Sequence, residues 1–159
     1  MKIFVLYDSL YGNTKKVAEV IGKGIDGDVK VAQVSKLDPS ELKDLDILIV
    51  GAPTHGGRPS PATQKFLEGI PKGFLKNIKV AAFDTRYSNK DHSALLGFFM
   101  KIIGFAAPKI AKKLKKGGGD LVVEPEGFIV EGKEGPLKKG ELERAGKWGN
   151  IIGNNPKMK

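Results

Sequence analysis

Cysteine is absent from the chain. Its absence excludes disulfides, thiolate catalysis, Cys-ligated zinc and Cys-held iron–sulfur clusters. A disulfide-stapled secreted domain is excluded too, so a reducing, cytoplasmic setting is the expectation. Histidine is scarce, with only His55 and His92, and no Ser/His/Asp arrangement is evident. Long hydrophobic runs are also missing: no stretch reaches the roughly 18 apolar residues of a membrane span. The short apolar run KIFVLY at residues 2–7 has no small-residue cleavage site after it and reads as a strand, not a signal peptide. The common phosphate motifs fail as well. There is no G-x-x-x-x-G-K-[ST] and no G-x-G-x-x-G after the first strand, which argues against a P-loop NTPase and a dinucleotide fingerprint. A phospho-receiver would want an Asp where this chain has Gly51-Ala52-Pro53.

What is present suits one compact domain spanning residues 1–159. The 40% hydrophobic and 28% charged fractions are those of an ordinary globular protein. The formal net charge is +9, and residues 81–159 carry more of the excess than residues 1–80. A basic balance favours acidic partners or anionic ligands, although a lysine-rich solvated surface is the more ordinary reading.

Strands are expected at 2–7, 29–34, 46–51 and 78–83, with a last strand at 120–124 and 127–131 interrupted at Pro125. Helices are expected at 13–24, 61–69, 93–103, 107–116 and 139–152, with a short helical turn over 38–44. The first helix puts Val17, Val20, Ile21 and Gly24 on one face; Phe66 and Leu67 turn inward from the second; the last carries Leu142, Ala145, Trp148 and Ile152. Strict β-α alternation implies an α/β fold, a parallel sheet with helices on both faces. Ligands of such sheets bind beyond the strand C-termini, at the switch point in strand order.

Three polar, glycine-bearing loops follow strand ends and therefore converge on that edge: Asp8–Thr14, Pro53–Ser60 and Asp84–Asp91. The first offers hydroxyls and an amide at a helix N-terminus, where unpaired N–H groups and the dipole favour anions. It holds no Lys or Arg, so a phosphate there would meet neutral donors. Ser9 or Asn13 could equally serve as a plain helix cap. The second loop brings His55 and two glycines; the third brings Tyr87. Two planar side chains on converging loops can flank a flat heterocycle.

Together these residues resemble the flavodoxins and flavodoxin-domain proteins, over nearly the whole chain. Ser9-x-Tyr11-Gly12-Asn13-Thr14 is similar to the family's FMN phosphate loop, Gly51-Ala52-Pro53-Thr54-His55-Gly56 to its second flavin loop, and Asp84-Thr85-Arg86-Tyr87 to its third. Gly140-Glu141-Leu142-Glu143-Arg144-Ala145 also resembles the closing stretch of such proteins. The resemblance implies a flavodoxin-like three-layer sandwich with a five-stranded parallel sheet in the order 2-1-3-4-5. It implies FMN as cofactor, contacted by Ser9, Leu10, Tyr11, Gly12, Asn13, Thr14, Pro53, Thr54, His55, Gly56, Gly57, Asp84, Thr85, Arg86 and Tyr87. Ser9, Tyr11, Asn13 and Thr14 would hold the phosphate, with Gly12 permitting close backbone approach. His55 and Tyr87 would face the isoalloxazine from either side, and Thr54 and Thr85 would reach its edge and the ribityl chain. The Gly56 carbonyl would turn to accept the flavin N5 proton on one-electron reduction.

That resemblance implies a flavodoxin-type electron carrier with a redox partner protein. An FMN-dependent NAD(P)H or quinone reductase would use the same loops. A flavodoxin-fold module that binds a polyanion through its basic surface is the reading from another class. The lack of aromatics among Lys109, Lys112, Lys113, Lys115 and Lys116 weighs against nucleic acid. Relatives that carry electrons are typically acidic, whereas this chain is basic, which points to an acidic partner. Arg58 and Arg86 in the flavin loops would favour anionic reduced flavin. The apolar segment 94–107 is core, a lid, or a homodimer surface.

Overall fold

The computed structural model describes residues 1–87 and 104–155. The expected helix at 93–103, His92, the end of the third loop and most of the apolar 94–107 segment lie outside the described residues. Lid and dimer roles for that segment stay expectations.

Among the described residues, six strands form one parallel sheet: β1 (Lys2–Tyr7), β2 (Asp28–Gln33), β3 (Ile47–Pro53), β4 (Lys79–Tyr87), β5 (Asp120–Leu121) and β6 (Glu126–Val130). The order is β2-β1-β3-β4-β5, and β6 also pairs with β4. The expected 2-1-3-4-5 sheet is therefore present, with its fifth position divided between β5 and β6 on either side of Pro125. β5 pairs the start of β4, Lys79↔Asp120, and β6 pairs its end, Tyr87↔Val130. An amide-less proline falls between the two ladders, where no ladder bond is lost.

The β1 and β3 side chains alternate between two cores, as a strand buried on both faces requires. Phe4, Leu6, Leu48 and Val50 meet Leu67, Ile110 and Leu114 from helices α2 (Pro61–Glu68) and α3 (Ala106–Lys116). Ile3, Val5, Ile47 and Ile49 meet Val17 and Ile21 of α1 (Asn13–Lys23) and Ala145, Trp148 and Ile152 of α4 (Glu141–Gly153). On this second face Phe83, Phe128 and Trp148 pack edge to face, with ring centroids 6.2 Å apart in each pair. Gly51 makes room for that cluster, since a Cβ there would lie 2.0 Å from the Phe83 ring.

Three expectations change. Asp84–Tyr87 are not loop: β4 runs on through Tyr87 because β6 supplies a ladder partner for each of these residues. Phe66 is only half-buried beside the fully inward Leu67. Leu142 is 38% exposed, because it follows Glu141, whose inward side chain takes the position facing β6.

Candidate functional site

Parallel register sets Tyr7 beside Gly51, Pro53 beside Thr85 and Tyr87 beside Val130 along one edge of the sheet. β1 and β3 are neighbours there, but β2 departs on the far side of β1, so the order reverses between them. The segments after β1 and β3 flank this switch point, and the end of β4 joins them. A cavity opens at the junction, lined by Ser9, Leu10, Tyr11, Asn13, Thr14, Pro53, Thr54, His55, Thr85, Arg86, Tyr87, Val130 and Lys133.

The first loop is tied by the Gly12 amide donating to Ser9 Oγ at 3.0 Å. Gly12 precedes α1 with φ +91, a left-handed conformation that favours glycine, and its missing Cβ faces open space. Neither Ser9 nor Asn13 caps the helix. No side chain caps α1, and no acidic residue lies in its first turn. Leu10 and Tyr11 are 66% and 41% exposed at the rim. Asn13 turns sideways, its Nδ2 donating to the Glu134 carbonyl at 3.0 Å. Thr14 is buried and shares a 2.8 Å hydrogen bond with the Thr85 hydroxyl, fastening the first loop to β4.

The second loop is a tight hairpin. The His55 and Arg58 amides donate to each other's carbonyls at 2.9 and 3.0 Å, and Gly56 and Gly57 take φ +55 and +73. Positive φ at both central residues is the two-residue turn that glycine favours. The Lys109 ammonium of α3 donates to the Gly57 carbonyl at 2.6 Å. The Thr54 amide donates to the Thr85 carbonyl, and Thr54 Oγ1 accepts from the Ala106 amide at 3.0 Å. His55 is exposed.

Asp84 sits apart from the cavity lining. It is fully buried, its carboxylate accepting from Arg86 Nε at 2.6 Å, Arg86 Nη2 at 2.7 Å and the Ala107 amide at 2.8 Å. Burial pushes its carboxyl above the usual value, against the pull of Arg86 and the Ala107 amide. The guanidinium also lies 3.8 Å from the Phe105 ring centroid. Arg86 therefore reaches the cavity with its charge already met by Asp84.

Gly12, Gly56, Gly57 and Asp84 shape the loops without lining the cavity, and the other expected site residues line it. Val130 and Lys133 were not anticipated. Both arrive through pairing of β6 with β4 and the turn beyond it, and no local motif marks them. The donor set fits a phosphomonoester: an uncapped helix N-terminus, hydroxyls, a glycine that admits close approach and, among the described residues, no carboxylate in the lining. Among the described residues no helix is long and apolar enough to cross a membrane.

A family model described as a flavodoxin domain matches residues 4–123. A flavodoxin of Aquifex aeolicus (strain VF5) is 33% identical over 73 residues, covering 43% of this chain and 40% of that protein. A flavodoxin of Clostridium saccharobutylicum is 30% identical over 92 residues, covering 55% and 58%. These matches thus span about half of each curated relative. Among solved structures, a flavodoxin from the domain Archaea aligns over 96% of both chains with a TM-score of 0.72 and 26% identity. A WrbA-like flavodoxin from Agrobacterium tumefaciens aligns over 99% of both with a TM-score of 0.74; at 21% identity it shows the fold alone.

Proposed function

The chain belongs to the flavodoxin family, and from that premise we propose that it binds FMN at the sheet edge and carries electrons between proteins. The observation that supports this reading is the convergence of the first loop, the His55–Arg58 hairpin and the end of β4 on one cavity at the switch point. Bound FMN supplies reversible one-electron chemistry at its isoalloxazine ring.

The chain's own residues divide the work. The first turn of α1, with Ser9, Tyr11 and Thr14, holds the phosphate through amide and hydroxyl donors. Thr54 and Thr85 position the ribityl chain and ring edge. His55 and Tyr87 would flank the ring and exclude water from its faces. With FMN bound, the Gly56 carbonyl would be the group placed to accept a proton at flavin N5, in a turn where two glycines make reorientation sterically cheap. Lys109 limits how far that turn moves, because it grips the next carbonyl, that of Gly57.

A carrier is favoured over a reductase because the sequence carries no recognisable nicotinamide-binding site. The net charge of +9 suits an acidic redox partner. The experiment is a redox titration of the FMN-loaded protein. Two separated one-electron steps with negligible NAD(P)H oxidation support the carrier. Rapid NAD(P)H oxidation supports the reductase, and failure to take up FMN removes both.

A further inference from the structure

The loop that follows β1 carries no cation, yet one reaches its cavity from the other end of the chain. Lys133 lies in the turn after β6 and lines the same cavity as Ser9, Leu10, Tyr11, Asn13 and Thr14. Its position is built. The Gly135 amide donates to the Gly132 carbonyl at 3.1 Å, closing a four-residue turn with Lys133 at its second position. The Glu131 amide donates to the Pro136 carbonyl at 2.9 Å, and the Lys138 amide to the Ile129 carbonyl at 2.9 Å, so the chain doubles back on β6. The turn is then fastened to the first loop by Asn13 Nδ2 donating to the Glu134 carbonyl. Gly135 admits that contact: a Cβ there would lie 2.6 Å from Asn13 Nδ2, and its φ of +103 favours glycine.

The charge of Lys133 is available to a ligand. Among the described residues no ion pair joins it to Glu131 or Glu134, its acidic neighbours in sequence, and no carboxylate lines the cavity. Arg86, the other Lys or Arg among the described lining residues, is already held by Asp84.

We propose that Lys133 supplies the cationic contact to the phosphate of a bound flavin nucleotide, and that Asn13 acts as a positioning residue that sets the Lys133 turn over the first loop. The inference rests on the FMN reading above. It makes discrimination between FMN and riboflavin depend on a residue far from the phosphate loop in sequence. An ammonium beside a phosphate dianion strengthens binding through a charge-assisted, salt-sensitive contact.

The test is fluorescence titration of the full chain with FMN and with riboflavin, at low and high salt, for wild type, Lys133→Gln and Lys133→Arg. Lys133 is exposed, so the variants should keep the wild-type melting temperature. The expected result for Lys133→Gln is about tenfold weaker FMN binding, a flatter salt dependence and unchanged riboflavin affinity, with Lys133→Arg close to wild type. Wild-type FMN affinity in Lys133→Gln, or an equal loss for riboflavin, overturns the inference and leaves the FMN reading standing. A wild-type protein that takes up no FMN overturns both.

Discussion

The hydroxyl oxygens of Thr14 and Thr85 lie 2.8 Å apart in the buried floor of the site, one at the start of α1 and the other near the end of β4. Each satisfies the other, so removing one strands a buried polar atom. Thr14→Val or Thr85→Val alone should each cost about 1–2 kcal/mol. The double variant should cost less than the sum of the two. Urea denaturation of the four proteins reads this directly, and strict additivity would show that the bond is not formed.

A second prediction concerns Gly127 and Arg86. A Cβ on Gly127 would lie 2.2 Å from the Arg86 guanidinium carbon, between β6 and β4. Gly127→Ala should therefore destabilise by about 1–3 kcal/mol through overpacking. In an Arg86→Ala background the same change should cost almost nothing. An equal cost in both backgrounds would locate the strain elsewhere.

Asp84→Asn tests the buried pair itself. It leaves the Arg86 guanidinium, seated between Phe105 and β6, without its anion. A loss of about 3 kcal/mol is expected, measured by chemical denaturation. Restoring stability with Asp84→Asn/Arg86→Met would confirm that the cost arises from the orphaned charge.

Glu141 gives a pH prediction. Burial alone would raise its carboxyl, but Arg144, the Ile129 amide and Lys138 together hold it below the usual value of 4.5. Arg144 binds it at 2.7 and 3.0 Å and reaches Glu126 at 2.9 Å, clamping α4 to β6. A depressed folded value means that the unfolded chain takes up the proton first as acid is added. The stabilisation is thus present above the unfolded value and lost as pH falls through the folded one. Glu141→Gln should lower stability at neutral pH by about 1–3 kcal/mol. It should also flatten the loss of stability below about pH 4.5. An unchanged acid limb in thermal melts across pH would contradict this role.

The Gly56–Gly57 turn makes a structural prediction. Crystals of the FMN-loaded protein in oxidised and one-electron-reduced forms should differ at that peptide. An identical turn in both forms would reject the proposed movement of the Gly56 carbonyl.

Much of this molecule was legible in its sequence because the signals were local. The apolar runs of β1 and β3, the periodicity of α1 and the proline at 125 each announced their element. The three converging segments followed from the parallel direction of the strands that lead into them. What escaped depended on pairing across the chain. Asp84–Tyr87 look like a polar loop until β6 pairs with them. Leu142 looks inward until Glu141 claims the contact with β6. Arg86 looks like a free cation until Asp84, two residues earlier on the same strand face, meets it. Lys133 lies 120 residues beyond Asn13 and shares no motif with it; the pairing of β6 with β4 and the Asn13–Glu134 bond together bring its turn to the cavity.

Affinity for FMN compared with riboflavin, measured on the purified wild-type protein, bears most directly on the whole account. Tight uptake of FMN with quenched fluorescence, and clearly weaker uptake of riboflavin, is the predicted result. Equal affinity for the two, or no uptake of FMN, would contradict it.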